Sequence, residues 1–154
     1  MADIRIKVAK DKAKLVKALK EGAGTSRIFS TYVELLVFAA TLGFRQKKYL
    51  PFSEHSRKDP DPIPGEHFHS KGASQVIELM AVIHTGDPKV FQKNEVNEKL
   101  RVEIFEAYAN GGLEIVEELL QGSKDNLKQI LLLVSNDTKE KGYEETELDF
   151  LSII

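Results

Sequence analysis

In the segment STYVELLVFAATLG (residues 30–43), apolar residues occupy nearly every position around a helical wheel. A helix of that kind has no face to offer water and belongs at the centre of a core. Ser30 or Thr31 can cap its N-terminus, Glu34 sits near the third position of the first turn, and Gly43 reads as the stop. The rest of the chain is expected to wrap this helix, with Leu35, Phe38 and Leu42 meeting Ile104 and Phe105 in one core.

On the N-terminal side, Ile4, Ile6 and Val8 alternate with Arg5 and Lys7, the period of a short strand with one basic face. Asp11 then opens an amphipathic helix in which Leu15, Val16 and Leu19 form the apolar stripe while Lys10, Lys14 and Lys17 share another face. Gly22 and Gly24 end it. The stretch GAGTS (residues 22–26) lacks the lysine and glycine spacing of a phosphate loop, so a turn between helices is its plain reading.

On the other side, RQKKYLPFSEHSRKDPDPIPGEHFHSKG (residues 45–72) holds four of the five prolines. Pro60, Pro62 and Pro64 deny it a continuous helix or ladder, which predicts a long loop or mobile arm over residues 46–72. A helix follows from Ala73 to His84, with Asp87 as a cap and Pro88 at a first helical position. Leu100, Ile104, Phe105 and Tyr108 recur at helical spacing until Asn110, Gly111 and Gly112, which predict a tight break. Leu127, Ile130, Leu131 and Val134 mark one more helix, and residues 136–154 form a polar, acidic C-terminal segment. The fold class expected is mainly α: a single compact domain over residues 1–154 with six or seven helices and at most a short N-terminal strand.

Charge gives the best functional clue. Residues 1–50 carry 11 Lys/Arg against 4 Asp/Glu, whereas residues 71–154 carry 9 against 16, so the formal net charge of −2 hides a basic front and an acidic back. A basic segment attracts phosphate, and an acidic one is left for protein contacts or solvent. The candidate nucleic-acid contacts are Arg5, Lys7, Lys10, Lys14, Lys17, Arg45, Lys47 and Lys48. Cysteine is absent, which excludes disulfides, thiol catalysis and cysteine-ligated zinc and suits a cytoplasmic protein. The N-terminal stretch MADIRIKVAKDK has no apolar run of signal-peptide length, and no segment approaches the roughly 18 apolar residues of a membrane span.

His55, His67 and His69 lie beside Glu54, Asp59, Asp61 and Glu66, a set of types that can bind metal. No pair has the helical spacing that preorganises a site, so the sequence predicts solvated loop residues, no metal and no cofactor. His84, on the apolar side with Ile77 and Met80, reads as a helix-end histidine bonded to exposed carbonyls. No pair of carboxylates is placed to name a general acid or base.

Taken together, VFAATLGFR (residues 37–45), LMAVIHTGD (residues 79–87) and IFEAYANGGLEIV (residues 104–116) resemble a family of small accessory proteins encoded beside DNA phosphorothioation (Dnd) genes. The resemblance spans residues 30–120 and implies a modification, restriction or phage-defence setting, with no catalytic residues to carry over. It favours a non-enzymatic accessory or regulatory protein that contacts a partner of a DNA modification or restriction complex, DNA, or both. A second reading is a ribbon-helix-helix repressor, a homodimer whose paired N-terminal strands would present Arg5 and Lys7 to the major groove. A third is a metal-dependent hydrolase or nuclease built on the histidine loop.

Overall fold

Thr31 takes an extended backbone conformation and its hydroxyl accepts from the Glu34 N–H at 3.1 Å. The Glu34 carboxylate reaches back to the Ser30 hydroxyl at 2.6 Å. The first satisfies an N–H that a helix start would otherwise leave orphaned, and together they fix where the central helix begins. The computed structural model describes residues 4–21, 29–69, 72–121 and 132. The expectations for residues 22–26, for Leu127, Ile130, Leu131 and Val134, and for residues 136–154 lie outside them.

The described residues are mainly helical: α1 (Ala13–Glu21), α2 (Tyr32–Arg45), α3 (Ala73–Thr85) and α4 (Glu95–Leu120). Two short antiparallel strands, β1 (Arg5–Ile6) and β2 (Ile63–Pro64), pair Arg5 with Pro64 and Ile6 with Ile63. Single 3-10 turns cover Lys10–Lys12, Gly65–Phe68 and Pro88–Phe91. The chain divides into two units, residues 1–118 and 119–154, and the contacts below belong to the first. No helix among the described residues is long and apolar enough to cross a membrane.

Two glycine readings are corrected. Gly43 does not end α2, which continues to Arg45, and Gly111 and Gly112 do not break the chain, because α4 runs through them as one helix of 26 residues. They serve packing instead. A Cβ on Gly112 would overlap the carbonyl oxygen of Ala39, and one on Gly43 would overlap that of Tyr108 and approach the Gly112 nitrogen at 2.9 Å. A Cβ on Gly111 would strike the backbone of Lys48, just past the end of α2. The backbones of α2 and α4 therefore meet directly, an approach that only residues without side chains permit.

Around this crossing, Leu35, Leu36, Leu42, Ile104, Phe105 and Leu113 are buried. Phe38, expected among them, is only half-buried and packs its ring on Phe29 with centroids 5.3 Å apart. Asp87 caps the Pro88–Phe91 turn as its sequence suggests, accepting from the Lys89 N–H at 3.0 Å. The proline-rich stretch is laid on the core as a strap, with Ser56, Pro60, Ile63 and Phe68 buried. It carries β2 and fastens at three further points: Ser56 N–H to the Val8 carbonyl (2.7 Å), Lys10 N–H to the Glu54 carbonyl (3.1 Å), and Gly65 N–H to the Ile4 carbonyl (2.9 Å).

Gly112→Ala tests the crossing. At a solvent-facing helical position alanine would add about 1 kcal/mol of stability; here the new methyl meets backbone, and a loss of roughly 2–3 kcal/mol is expected. Denaturant titration of parent and variant reads the sign, and an alanine variant as stable as the parent would refute the backbone contact.

Candidate functional site

The alternation of residues 4–8 buries Ile6 and Val8 and leaves Arg5 and Lys7 exposed. Facing them is one side of α4, where Lys99, Val102, Glu103 and Glu106 follow the i, i+3, i+4, i+7 spacing of a single helical face. The third wall is the segment 49–55, with Tyr49, Phe52 and His55. Together these elements enclose a cleft of about 620 Å³, within the size range of small-molecule sites.

The walls are held by backbone. Leu50 is clamped to α4 from both sides of its peptide: its N–H donates to the Ala107 carbonyl (3.1 Å) and its carbonyl accepts from Asn110 Nδ2 (2.9 Å). At the other end of the segment, His55 bridges to Ala9 beside β1. Asn110, read from sequence as a turn residue, is thus a buried anchor within α4. Behind Tyr49 lies an aromatic group: Tyr49 stacks on His84 (4.5 Å) and meets Tyr108 edge-on (4.9 Å), and His84 Nδ1 lies 2.7 Å from the Tyr108 hydroxyl. His84 therefore bonds to a side chain of α4 in place of the helix-end carbonyls expected for it.

Glu106 is the chemically distinctive group. It is 9% exposed, lines the cleft, and its Oε2 accepts from the Lys7 backbone N–H at 2.6 Å. Burial pushes its carboxyl up to about 7; the Lys7 N–H and charge pull against that rise, and neighbouring Glu103 adds to it. Burial, helped by Tyr108 and Glu103, also raises the Tyr49 hydroxyl.

The basic residues named from sequence do not gather into one patch. Arg5 and Lys7 line the cleft. Lys10 and Lys14 are exposed on the first turn and α1, while Lys17 lies 3.9 Å from Asp59. Arg45 ends α2, and Lys47 follows with a left-handed backbone (φ 56°). Lys48 ion-pairs with Glu114 (3.4 Å) and Glu118 (3.9 Å), so part of the basic front is matched by the acidic back within the fold. His55 lines the cleft, whereas His67 lines a separate, more open hollow with Lys20, Tyr32 and Asp61. No cluster of three or more metal-ligating side chains occurs among the described residues.

Sequence reasoning missed Tyr49, Lys99, Glu103 and Glu106. One signal was available for Glu106: an acid set inside the apolar run IFEAYA, where burial raises a carboxyl. Both edges of the N-terminal strand are engaged within the chain, by the strap on one side and by Glu106 at Lys7 on the other. A two-chain ribbon would have to displace these bonds.

The family described as DNA sulphur modification system-associated protein 4 matches the chain over residues 5–153. No curated protein and no solved structure matches it.

The raised Glu106 carboxyl sets a pH dependence. Its folded value of about 7 lies above the ordinary 4.5, so the folded chain holds a proton that the unfolded chain releases, and stability falls as pH rises between those values. The ceiling is roughly 1.4 kcal/mol per pH unit. Glutamine keeps an oxygen for the Lys7 N–H but cannot ionise. Glu106→Gln should therefore match the parent at about pH 4.5 and exceed it in stability at about pH 8. Denaturation at both pH values checks this; a gap that stays constant would contradict it.

Proposed function

We propose, for a chain that belongs to the DNA sulphur modification system-associated protein 4 family, a non-enzymatic accessory role: holding another protein of that modification system, in a restriction or phage-defence setting. Association with a DNA sulphur modification system is what the family establishes. The mode of action is the proposal.

The observation that carries it lies in residues 79–100. Leu79 and Ile83, one turn apart on α3, are 57% and 56% exposed, and Val96 and Leu100, one turn apart on the first turns of α4, are 78% and 38% exposed. Phe91, in the turn between the two helices, is exposed as well. Isolated exposed apolar residues are ordinary; pairs of large ones one turn apart on two helices support a protein-contact reading. The elements carrying them are firmly set, since buried Arg101 donates to the carbonyls of Val90 and Gln92 and thereby fixes the Pro88–Phe91 turn against α4.

DNA contact through Arg5, Lys7, Lys10 and Lys14 is the second reading, favoured by four exposed cations within ten residues. The pairing of Lys48 and Lys17 with acids leaves it the weaker of the two. Such binding would be largely sequence-indifferent and steeply salt-dependent.

Coexpression with the other proteins of its modification system, followed by copurification with and without nuclease, separates the readings. The parent should retain a protein of that system after nuclease treatment. Ile83→Asp combined with Val96→Asp should lose it while keeping the parental circular dichroism, because exposed substitutions shift stability by about 0.5 kcal/mol or less. Association that survives both substitutions overturns the apolar-contact reading, and association that nuclease abolishes favours DNA.

A further inference from the structure

We propose that the cleft between β1, the segment 49–55 and α4 binds one nucleotide, its base against Tyr49 and Phe52, its phosphate on Arg5, Lys7 and Lys99, and an N–H of the base edge on Glu106. The proposal is independent of the protein-contact reading, which rests on residues 79–100.

Three features of the cleft each demand something different of a ligand. Three cations, Arg5, Lys7 and Lys99, line it and favour an anionic group. Tyr49 and Phe52 offer aromatic surface to a flat apolar group, and Tyr49 is braced by His84 and Tyr108 so that it is positioned before any ligand arrives. Glu106 spends one oxygen on the Lys7 N–H and has no other hydrogen-bond partner among the described residues. On a residue that is nine-tenths buried, its remaining oxygen opens to the cleft and can accept from a donor there.

Simple ligand classes fail one demand each. An acidic peptide meets Glu103 and Glu106, a cationic ligand meets the three cations, and an aliphatic one leaves Glu106 unanswered. A nucleotide meets all three, since it joins an anionic phosphate to a flat ring whose edge carries N–H donors, and aromatic rings with basic residues are the usual means of holding an unpaired base. Above about pH 7, where Glu106 is ionised, it accepts well from exocyclic amino groups, so cytosine, adenine or guanine should be preferred there to thymine, whose edge offers no amino group. The same chemistry is presented by a free nucleotide and by an unpaired nucleotide within a DNA strand.

Titration of the intact chain at low salt with dAMP, dCMP, dGMP and dTMP singly, with a single-stranded mixed-sequence oligonucleotide, and with inorganic phosphate tests the proposal. Saturable binding is expected to at least one amino-bearing mononucleotide or to the oligonucleotide, at least about tenfold tighter than to phosphate alone. Comparable affinity for mononucleotide and oligonucleotide assigns the free nucleotide as ligand; binding of the oligonucleotide alone assigns an unpaired nucleotide in a strand. Lys99→Ala and Phe52→Ala should each weaken binding about tenfold, and Glu106→Gln should reduce the discrimination against dTMP. Lys99 is exposed, so its variant remains informative if Phe52→Ala does not fold. No binding at low salt, binding that phosphate reproduces, or binding untouched by Lys99→Ala would overturn the proposal.

Discussion

The direct contact between the backbones of α2 and α4 is the constraint on which the rest of the structure depends. Gly112 lies under the Ala39 carbonyl, Gly43 under that of Tyr108, and Gly111 against the backbone of Lys48. Such an approach gains close-packed dispersion contacts along both helices and admits no other register without steric overlap. Moving α4 by one turn would bring Tyr108 or Val116 to the place of Gly112. The position of every α4 side chain relative to α2 follows from three missing Cβ atoms.

Once α4 is set in this way, its polar residues act as fasteners for segments that have little regular structure of their own. Asn110 and the Ala107 carbonyl hold Leu50, Glu106 holds the Lys7 N–H, and Arg101 holds the turn before α4. Each of these bonds joins the helix to a stretch whose backbone groups would otherwise lack partners near the core, which is why such groups are found paired. The arrangement also pairs some of the charges that lie far apart in the sequence. Lys48 from the basic front meets Glu114 and Glu118 from the acidic back, and Lys17 meets Asp59. Charges far apart in sequence neutralise one another locally, so net charge per segment overstates the attraction for phosphate.

What was legible in the sequence was local. The alternation of residues 4–8, the Thr31 cap with Glu34 and the Asp87–Pro88 restart all rest on interactions within a few residues, and all appear in the structure. The glycines were misread because the same atom count supports two opposite roles: backbone freedom that ends a helix and lack of bulk that lets helices touch. Choosing between them requires knowing what lies across from Gly112, and Ala39 is far away in the chain. The strap shows the same limit. Pro64 has no N–H for a ladder, yet at an edge position it pairs beside β1 without needing one. Of the cleft, Arg5 and Lys7 were legible as a basic face; Tyr49 and Lys99 were not, since an exposed lysine and a half-buried tyrosine carry no mark until the fold brings them together.

The placement of the cleft on α4 bears on how it works. Its three walls, the stretch of β1 and the residues after it, the segment 49–55 and α4, are joined by hydrogen bonds to main-chain groups: the Lys7 N–H to the Glu106 carboxyl, Leu50 to the Ala107 carbonyl and the Asn110 side chain, and the bridge between Ala9 and His55. Opening the cleft would break those bonds, and sliding α4 is barred by its glycine contacts with α2. A ligand there meets walls already in place and forfeits little affinity to ordering them. The exposed apolar residues Val96 and Leu100 sit on the same helix, about two to three turns N-terminal of Glu106. Because α4 carries both the cleft wall and these apolar residues, a ligand in the cleft would alter a protein contact at residues 79–100 only by touching both or by favouring one of two arrangements of the chain, since coupling requires differential contact with two states.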